Sequence, residues 1–210
     1  MKKILVMVVA TIFATVSANA QNIRHDKGTF TVQPMIGMSV GSMGGKMEYL
    51  LDITKQDRIQ VEDELRGGFI GGVEAEYYIL DWLSASAGVN YAQQGWRMKE
   101  KVSGDKWNMN LDYLNIPILA NFYVAKGFAL KAGVQPGFLL NAKQDGKDVK
   151  KGLESSNFSI AYGLSYEFKN GITLDWRAAI GLTTLNKVSD ENNKFRSNRA
   201  TLTVGYKFSL

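Results

Sequence analysis

Apolar and polar residues alternate with a period of two along most of this 210-residue chain. Such alternation places successive side chains on opposite faces of a β-strand, and patterns with the period of a helix are nearly absent. Each alternating segment is long enough for the roughly 9–11 residues that a tilted membrane strand needs. The pattern therefore predicts an all-β fold of eight strands, at about residues 30–40, 69–79, 83–91, 107–124, 128–140, 158–168, 172–182 and 202–210.

The connections between these segments alternate between long and short. Long connections are predicted at about residues 42–66, 94–106, 143–155 and 187–197, and short ones at Asp81, Ala125-Lys126 and Lys169-Asn170-Gly171. Outer-membrane barrels have short turns on the periplasmic side and longer loops on the outer side, and Asn-Gly is a strong signal for a tight hairpin. The chain is therefore predicted to form an eight-stranded antiparallel up-and-down transmembrane β-barrel with both termini in the periplasm.

Aromatic residues provide a second indication, because they lie near the predicted short turns and the chain ends. They are Phe30, Tyr77, Tyr78, Trp82, Phe122, Tyr123, Phe128, Tyr166, Phe168, Trp176, Tyr206 and Phe208. This placement predicts an interfacial girdle at one level of the barrel. A soluble β-sandwich or lipocalin-like barrel would also alternate. It would not be expected to sort its loop lengths by side or its aromatic residues by level.

The first twenty residues have the pattern of a cleavable signal peptide. A basic start at Lys2 and Lys3 precedes an apolar run over residues 4–16, and small residues precede a cleavage site before Gln21. An N-terminal membrane anchor is the alternative, but the apolar run is too short to span a bilayer. We therefore expect a signal peptide at 1–20, a periplasmic tail at 21–28 and an outer-membrane barrel at 29–210.

Composition argues against several kinds of functional site. The chain has no cysteine and a single histidine, His25, which argues against thiolate metal sites, Cys-based catalysis and Ser-His-Asp hydrolysis. Its formal net charge of +5 is too mild to suggest nucleic acid as a partner. No calcium-binding, phosphate-binding or nucleotide-binding motif is present. We therefore expect no enzyme activity, no cofactor and no metal.

Two features predict local irregularity in the strands. In the fourth segment the apolar residues change from odd to even positions near Tyr113, which predicts a β-bulge that flips the two faces. Pro34, Pro117 and Pro136 fall inside predicted strands. Because proline cannot donate a hydrogen bond to a neighbouring strand, each should mark a bulge or a missing bond.

Seven charged residues lie on the polar face of their strands, about two to six residues from the short turns or the C-terminus. They are Glu74, Glu76, Lys131, Glu167, Asp175, Arg177 and Lys207. Strand rise and tilt place them in one layer of the periplasmic half of the lumen. Paired carboxylates could act as acid and base, but the basic residues at the same depth favour neutralisation. We predict that Arg177 donates to at least one carboxylate and that this network plugs the barrel.

Three stretches resemble a known family. Residues 113–119 read Tyr-Leu-Asn-Ile-Pro-Ile-Leu, residues 132–140 read Ala-Gly-Val-Gln-Pro-Gly-Phe-Leu-Leu, and Arg177 precedes Gly-Leu-Thr at 181–183. These stretches resemble the PorT-like or "porin family" outer-membrane barrels of Bacteroidetes, and the motif strand is carried by Leu114, Asn115, Ile116 and Pro117. Asn115 stands where that family often has Glu. The resemblance implies the barrel fold and the membrane, and some family members are similar to a secretion-system component.

The expected function is structural or interactive. Eight strands leave an interior that side chains fill, so we expect a non-enzymatic barrel that contacts outer-membrane lipid and envelope or secretion-complex proteins. A small-solute conduit is the alternative, and a lipid-modifying enzyme is a third possibility. The charged loop at 46–66 is the first candidate for a binding surface. Tyr206, Phe208 and Leu210 resemble the C-terminal signal that the barrel-insertion machinery recognises.

Overall fold

A computed structural model of the chain describes residues 26–44, 61–100, 106–185 and 196–210. The predicted signal peptide, His25 and most of the charged loop at 46–66 lie outside these residues. Within these ranges no helix is long and apolar enough to cross a membrane, and a 3₁₀ turn spans Lys150–Gly152. The strands are β1 Phe30–Gly44, β2 Val61–Leu80, β3 Leu83–Glu100, β4 Lys106–Asn115, β5 Ile118–Ala125, β6 Phe128–Gln144, β7 Lys147–Asp148, β8 Ser156–Glu167, β9 Ile172–Gly181, β10 Arg196–Tyr206 and β11 Phe208–Ser209.

These strands form one closed barrel. The strands β4 and β5 together make the fourth barrel strand, β10 and β11 make the eighth, and β7 pairs only with β6 in a long connection. Every barrel strand is antiparallel to its neighbours in the chain, and β1 pairs with β10 and β11 to close the sheet. The predicted eight-stranded antiparallel up-and-down barrel is confirmed.

The connections have the predicted alternation of lengths. The short turns lie at one end of the barrel, together with both ends of the described chain, since the backbone N–H of Lys27 donates to Asp81 at 2.9 Å. We call this the short-turn end and the opposite one the long-connection end. At Asn170-Gly171, Gly171 has φ 82° and its N–H donates to Phe168 at 2.9 Å, which closes the predicted hairpin.

The strands extend further than the sequence predicted. Strand β3 continues to Glu100 and β2 begins at Val61, so parts of the predicted loops at 94–106 and 42–66 are strand. Backbone pairing can continue where neither face of the sheet contacts lipid, and the apolar alternation that marks a membrane strand is then absent. The expected long loops are therefore shorter than predicted.

The barrel is apolar outside and polar inside. Ile36 and Met38 are 56% and 66% exposed, whereas Gln33 and Ser39 on the same strand are buried. The same contrast holds around the barrel, where Leu and Ile face outward and Thr, Ser, Asn and charged residues face the lumen. A soluble barrel would bury its apolar residues instead. The alternation therefore reflects a lipid-facing outer surface.

The predicted flip of faces near Tyr113 is wrong. Leu111, Tyr113 and Asn115 are all buried, so the fourth barrel strand keeps one phase through this region. Its pairing with β6 does shift register between Asp112 and Tyr113. The extra residue is on β6, where Leu139 and Ala142 are both buried although three positions separate them. The sequence suggested a flip because apolar residues line the lumen at the long-connection end.

The three prolines lie at gaps in the backbone pairing, as predicted. Pro117 lies in the break between β4 and β5, and Pro136 lies opposite this break on β6, where its carbonyl accepts from Ile116 N–H at 2.8 Å. One gap thus accommodates two prolines. Pro34 on β1 lies opposite the break between β10 and β11. A missing proline donor therefore costs no strand hydrogen bond at these positions.

Candidate functional site in the barrel lumen

A first group of charges lies near the short-turn end. The Nζ of Lys207, in the break between β10 and β11, is 2.9 Å from Glu76 and 3.0 Å from Glu167. Lys207 faces the lumen because it shares the odd phase of Thr201 and Thr203, which are buried. Its backbone N–H donates at 2.9 Å to the carbonyl of the β8–β9 hairpin turn, which fixes it near that end.

Two tyrosines complete this group, which we call the turn-end cluster: Glu76, Tyr78, Tyr123, Glu167 and Lys207. The hydroxyls of Tyr78 and Tyr123 are 2.8 Å apart, and Lys207 Nζ is 3.2 and 2.9 Å from them. The Tyr123 hydroxyl donates to Glu76 at 2.7 Å. Lys207 also lies 5.8 and 5.5 Å from the centroids of the two rings, within the range of a cation–π contact.

The placement of these two tyrosines corrects the predicted girdle. Tyr78 is fully buried and Tyr123 is half-buried in the lumen, because even positions on β2 and odd positions on β5 face inward. Other members of the predicted girdle do face outward, and Tyr77 and Trp82 are 49% and 54% exposed. The aromatic residues near the turns thus divide between the membrane surface and the lumen.

A second group, the mid-lumen cluster, comprises Glu74, Lys131, Asp175 and Arg177. Lys131 Nζ is 2.9 Å from Glu74 and 2.7 Å from Asp175, and Arg177 Nη2 is 2.9 and 3.1 Å from the same two carboxylates. All four side chains are at most 6% exposed. Two acids and two bases thus form a closed and neutral arrangement, in which each base bridges both acids.

The ion pairs of both clusters cross the lumen. Glu74 is on β2, Lys131 on β6 and Arg177 on β9, and no two of these strands are neighbours in the barrel. Lys207 likewise joins β2 to β8 across the strands between them. The structure brings all seven sequence-predicted residues into the lumen. It arranges them in two clusters along the barrel axis and not in the single predicted layer.

One lumen charge escaped the sequence analysis. Arg199 is 7% exposed and donates from Nη1 to Gln94 at 3.2 Å. It shares the odd phase of Lys207 on the same barrel strand, which is the signal that could have identified it. The analysis missed it because the last strand was predicted to begin only at about residue 202, and β10 begins at Arg196.

Above the charges, the lumen contains amides and then apolar side chains. Asn115 of the family-like motif donates to Asn90 at 3.1 Å, and Gln135 donates to Asn115 at 3.5 Å. Its neighbours Leu114 and Ile116 face outward, whereas Pro117 is buried. The long-connection end is filled by an apolar cluster of Leu111, Tyr113, Leu139, Ala142 and Leu185. Side chains thus fill the lumen from one end of the barrel to the other.

The predicted insertion signal lies at the closing seam. The rings of Tyr206 and Phe208 are 4.7 Å apart between centroids, and both residues are partly exposed on the outer face. Leu210 is 81% exposed, and its backbone N–H donates to Phe30 at 2.9 Å. The last residues therefore complete the pairing with β1.

The chemistry of this arrangement is neutralisation of buried charge. Each of the four lumen carboxylates lies within 3.0 Å of a Lys or Arg nitrogen. Across the described ranges, no group of three or more His, Cys, Asp or Glu residues could hold a metal ion. The pairing of every lumen acid with a base accords with neutralisation more than with acid–base chemistry.

A closed barrel of eight antiparallel strands, apolar outside and charged inside, defines the protein as an outer-membrane β-barrel. More specifically, residues 19–187 match the model of the outer membrane protein beta-barrel domain family, so the chain belongs to this family and is located in the outer membrane. A comparison with curated proteins found no match.

Solved structures of other outer-membrane barrels are similar in fold. Neisserial surface protein A is 17% identical, with a TM-score of 0.51, and the match covers 85% of this chain and 97% of that one. The attachment invasion locus protein Ail of Yersinia pestis is 16% identical, with a TM-score of 0.49 and coverage of 87% and 99%. OprG of Pseudomonas aeruginosa is 11% identical, with a TM-score of 0.48 and coverage of 89% and 99%.

Proposed function

We propose that this protein is a sealed, non-enzymatic outer-membrane barrel that serves a structural or interaction role in the cell envelope. The observation that carries the proposal is the set of ion pairs that join β2, β6 and β9 across the lumen, from Glu74 and Asp175 to Lys131 and Arg177. A barrel held closed in this way acts through its outer surfaces, because solutes have no continuous path through it.

Three layers support the sealed lumen. Solute entering from the short-turn end meets the turn-end cluster and then the mid-lumen cluster, in which buried ion pairs hold the side chains in place. Solute entering from the other end meets the apolar cluster around Tyr113 and Leu139. Displacing any of these layers would expose unpaired buried charges or leave an apolar void, and both are costly. The layers therefore favour a sealed barrel over a small-solute conduit.

The partners follow from this role. We propose outer-membrane lipid around the exposed aliphatic residues, the barrel-insertion machinery at the C-terminal strand, and envelope or secretion-complex proteins at the ends of the barrel. We also infer a PorT-like role of the type found in Bacteroidetes, because the Asn-Ile-Pro step at 115–117 lies at the gap in strand pairing. In this orientation the short-turn end and both termini face the periplasm.

Photo-crosslinking in intact envelopes tests the interaction role. A photoreactive residue at exposed Lys151, in the connection after β6, should give a reproducible adduct with one envelope protein. A second one at exposed Asp81 tests the short-turn end. The matched control is lipid-facing Ile160, 47% exposed, which should give lipid adducts alone. Protein adducts at neither Lys151 nor Asp81 would contradict the interaction role.

The enzyme alternative has its own test. If the protein modified lipids with a catalytic histidine, His25 would have to supply it, since the chain has no other. We expect purified protein to leave phospholipid and lipopolysaccharide unchanged by mass spectrometry. Turnover that is lost in His25→Ala would overturn the non-enzymatic proposal.

A further inference from the structure

A small cavity lies in the lumen between the mid-lumen cluster and Arg199. The centre of a water molecule can occupy about 10 Å³ of it. This is room for about one small occupant, because a single water needs roughly 10–15 Å³ on this measure. Its lining includes Asn90, Gln135, Arg177, Arg199, Thr201 and Thr203.

The charge around this cavity is positive. Glu74 and Asp175 are already balanced by Lys131 and Arg177 in the neutral mid-lumen cluster. Arg199 adds one further positive charge, and within the described part of the chain no carboxylate forms an ion pair with it. The excess acid of the turn-end cluster lies on the far side of the mid-lumen cluster. A buried guanidinium without a counter-charge is costly, even with one amide as acceptor.

The cavity also adjoins unused hydrogen-bond donors. The Nε atoms of Arg177 and Arg199 are buried and have no hydrogen-bond partner in the structure. Both side chains line the cavity, and both are at least nine-tenths buried. Two guanidinium N–H groups without acceptors therefore adjoin the same small space. A buried donor without an acceptor carries a desolvation penalty of about 1–3 kcal/mol.

We propose that this cavity binds one small monovalent anion, with chloride as the physiological form. A water molecule could accept from the two N–H groups, but it would leave the positive charge of Arg199 uncompensated. An anion supplies both the acceptor and the counter-charge, and charge-assisted hydrogen bonds are the stronger kind. Carboxylate or phosphate ligands exceed the available space. The anion would complete the neutralisation of the upper lumen.

Crystals of the full barrel soaked in sodium bromide test the site directly, since bromide replaces chloride and scatters anomalously. We expect one anomalous peak between Arg177 and Arg199. Ordered water there without an anomalous peak would overturn the proposal.

A solution measurement tests the same site independently. In sodium chloride the thermal unfolding midpoint should rise saturably relative to sodium gluconate at equal ionic strength. Arg199→Gln should lose this rise, whereas Arg196→Gln, an exposed position on the same strand, should keep it. A chloride-dependent rise that persists in Arg199→Gln, or no rise in the unaltered protein, would contradict the site.

Discussion

Replacing Arg177 with alanine should destabilise the barrel more than most single substitutions. Arg177 donates to Glu74 at 2.9 Å and to Asp175 at 3.1 Å, and both carboxylates are at most 3% exposed. After the change, Lys131 alone faces two buried carboxylates, so one negative charge is left uncompensated. Breaking a buried ion pair from one side costs about 3–5 kcal/mol. We therefore expect Arg177→Ala to lower the free energy of unfolding by about 3–5 kcal/mol.

Urea unfolding of the barrel folded in lipid vesicles measures this loss, with tryptophan fluorescence as the signal. A restoring variant separates charge from packing: Arg177→Met combined with Asp175→Asn leaves the neutral pair of Lys131 and Glu74 at 2.9 Å. This double variant should be more stable than Arg177→Met alone, because the two changes are coupled through one network. Arg196→Ala, at an exposed position, is the control and should change stability by at most about 0.5 kcal/mol.

Two results would refute this reasoning. A loss below about 1 kcal/mol in Arg177→Ala would mean that water or another group compensates the stranded carboxylates. Additive effects of Arg177→Met and Asp175→Asn would mean that the two residues do not share one network. In either case the mid-lumen cluster would not hold the barrel closed.

Three further predictions concern insertion, strand approach and the turn-end cluster. Phe208→Asp should block insertion by disrupting the C-terminal strand signal; normal levels in the outer membrane by fractionation and immunoblotting would contradict this. Gly163→Val should lower the folding yield on a gel-shift assay, because a Cβ there would meet the backbone of β9, whereas Gly152→Val, with nothing within 4 Å, should not. Tyr123→Phe removes the 2.7 Å hydrogen bond to Glu76 and should cost about 1–3 kcal/mol in urea unfolding; an unchanged unfolding midpoint would argue against that bond.

Much of the fold could be predicted because lipid imposes a simple rule on a barrel. Each strand must be apolar on its outer face, and the period of two then identifies the inner face. The seven lumen charges followed from the same rule, since each lies on the polar phase of its strand. The chain could not dictate their depth as simply, because depth also depends on strand tilt and stagger, and the charges therefore occupy two clusters.

The remaining errors have physical causes. Tyr78 and Tyr123 were assigned to the girdle because an aromatic residue near a turn suits both the interface and the lumen. Arg199 was missed because the strand continues beyond the lipid-facing pattern. The bulge was assigned to the strand of Tyr113 although the extra residue is on β6, since a register shift is a property of two strands. Pairing information, absent from a single segment, would be needed for each.

The central claim is that side chains seal the lumen, and single-channel recording in planar bilayers tests it most directly. The full barrel, reconstituted in concentrated potassium chloride beside a known porin as positive control, should produce no stable conductance steps. The two ion-pair clusters and the apolar cluster at the long-connection end leave no continuous aqueous path along the lumen. Stable and reproducible steps from the unaltered protein would contradict the sealed barrel and establish a conduit instead.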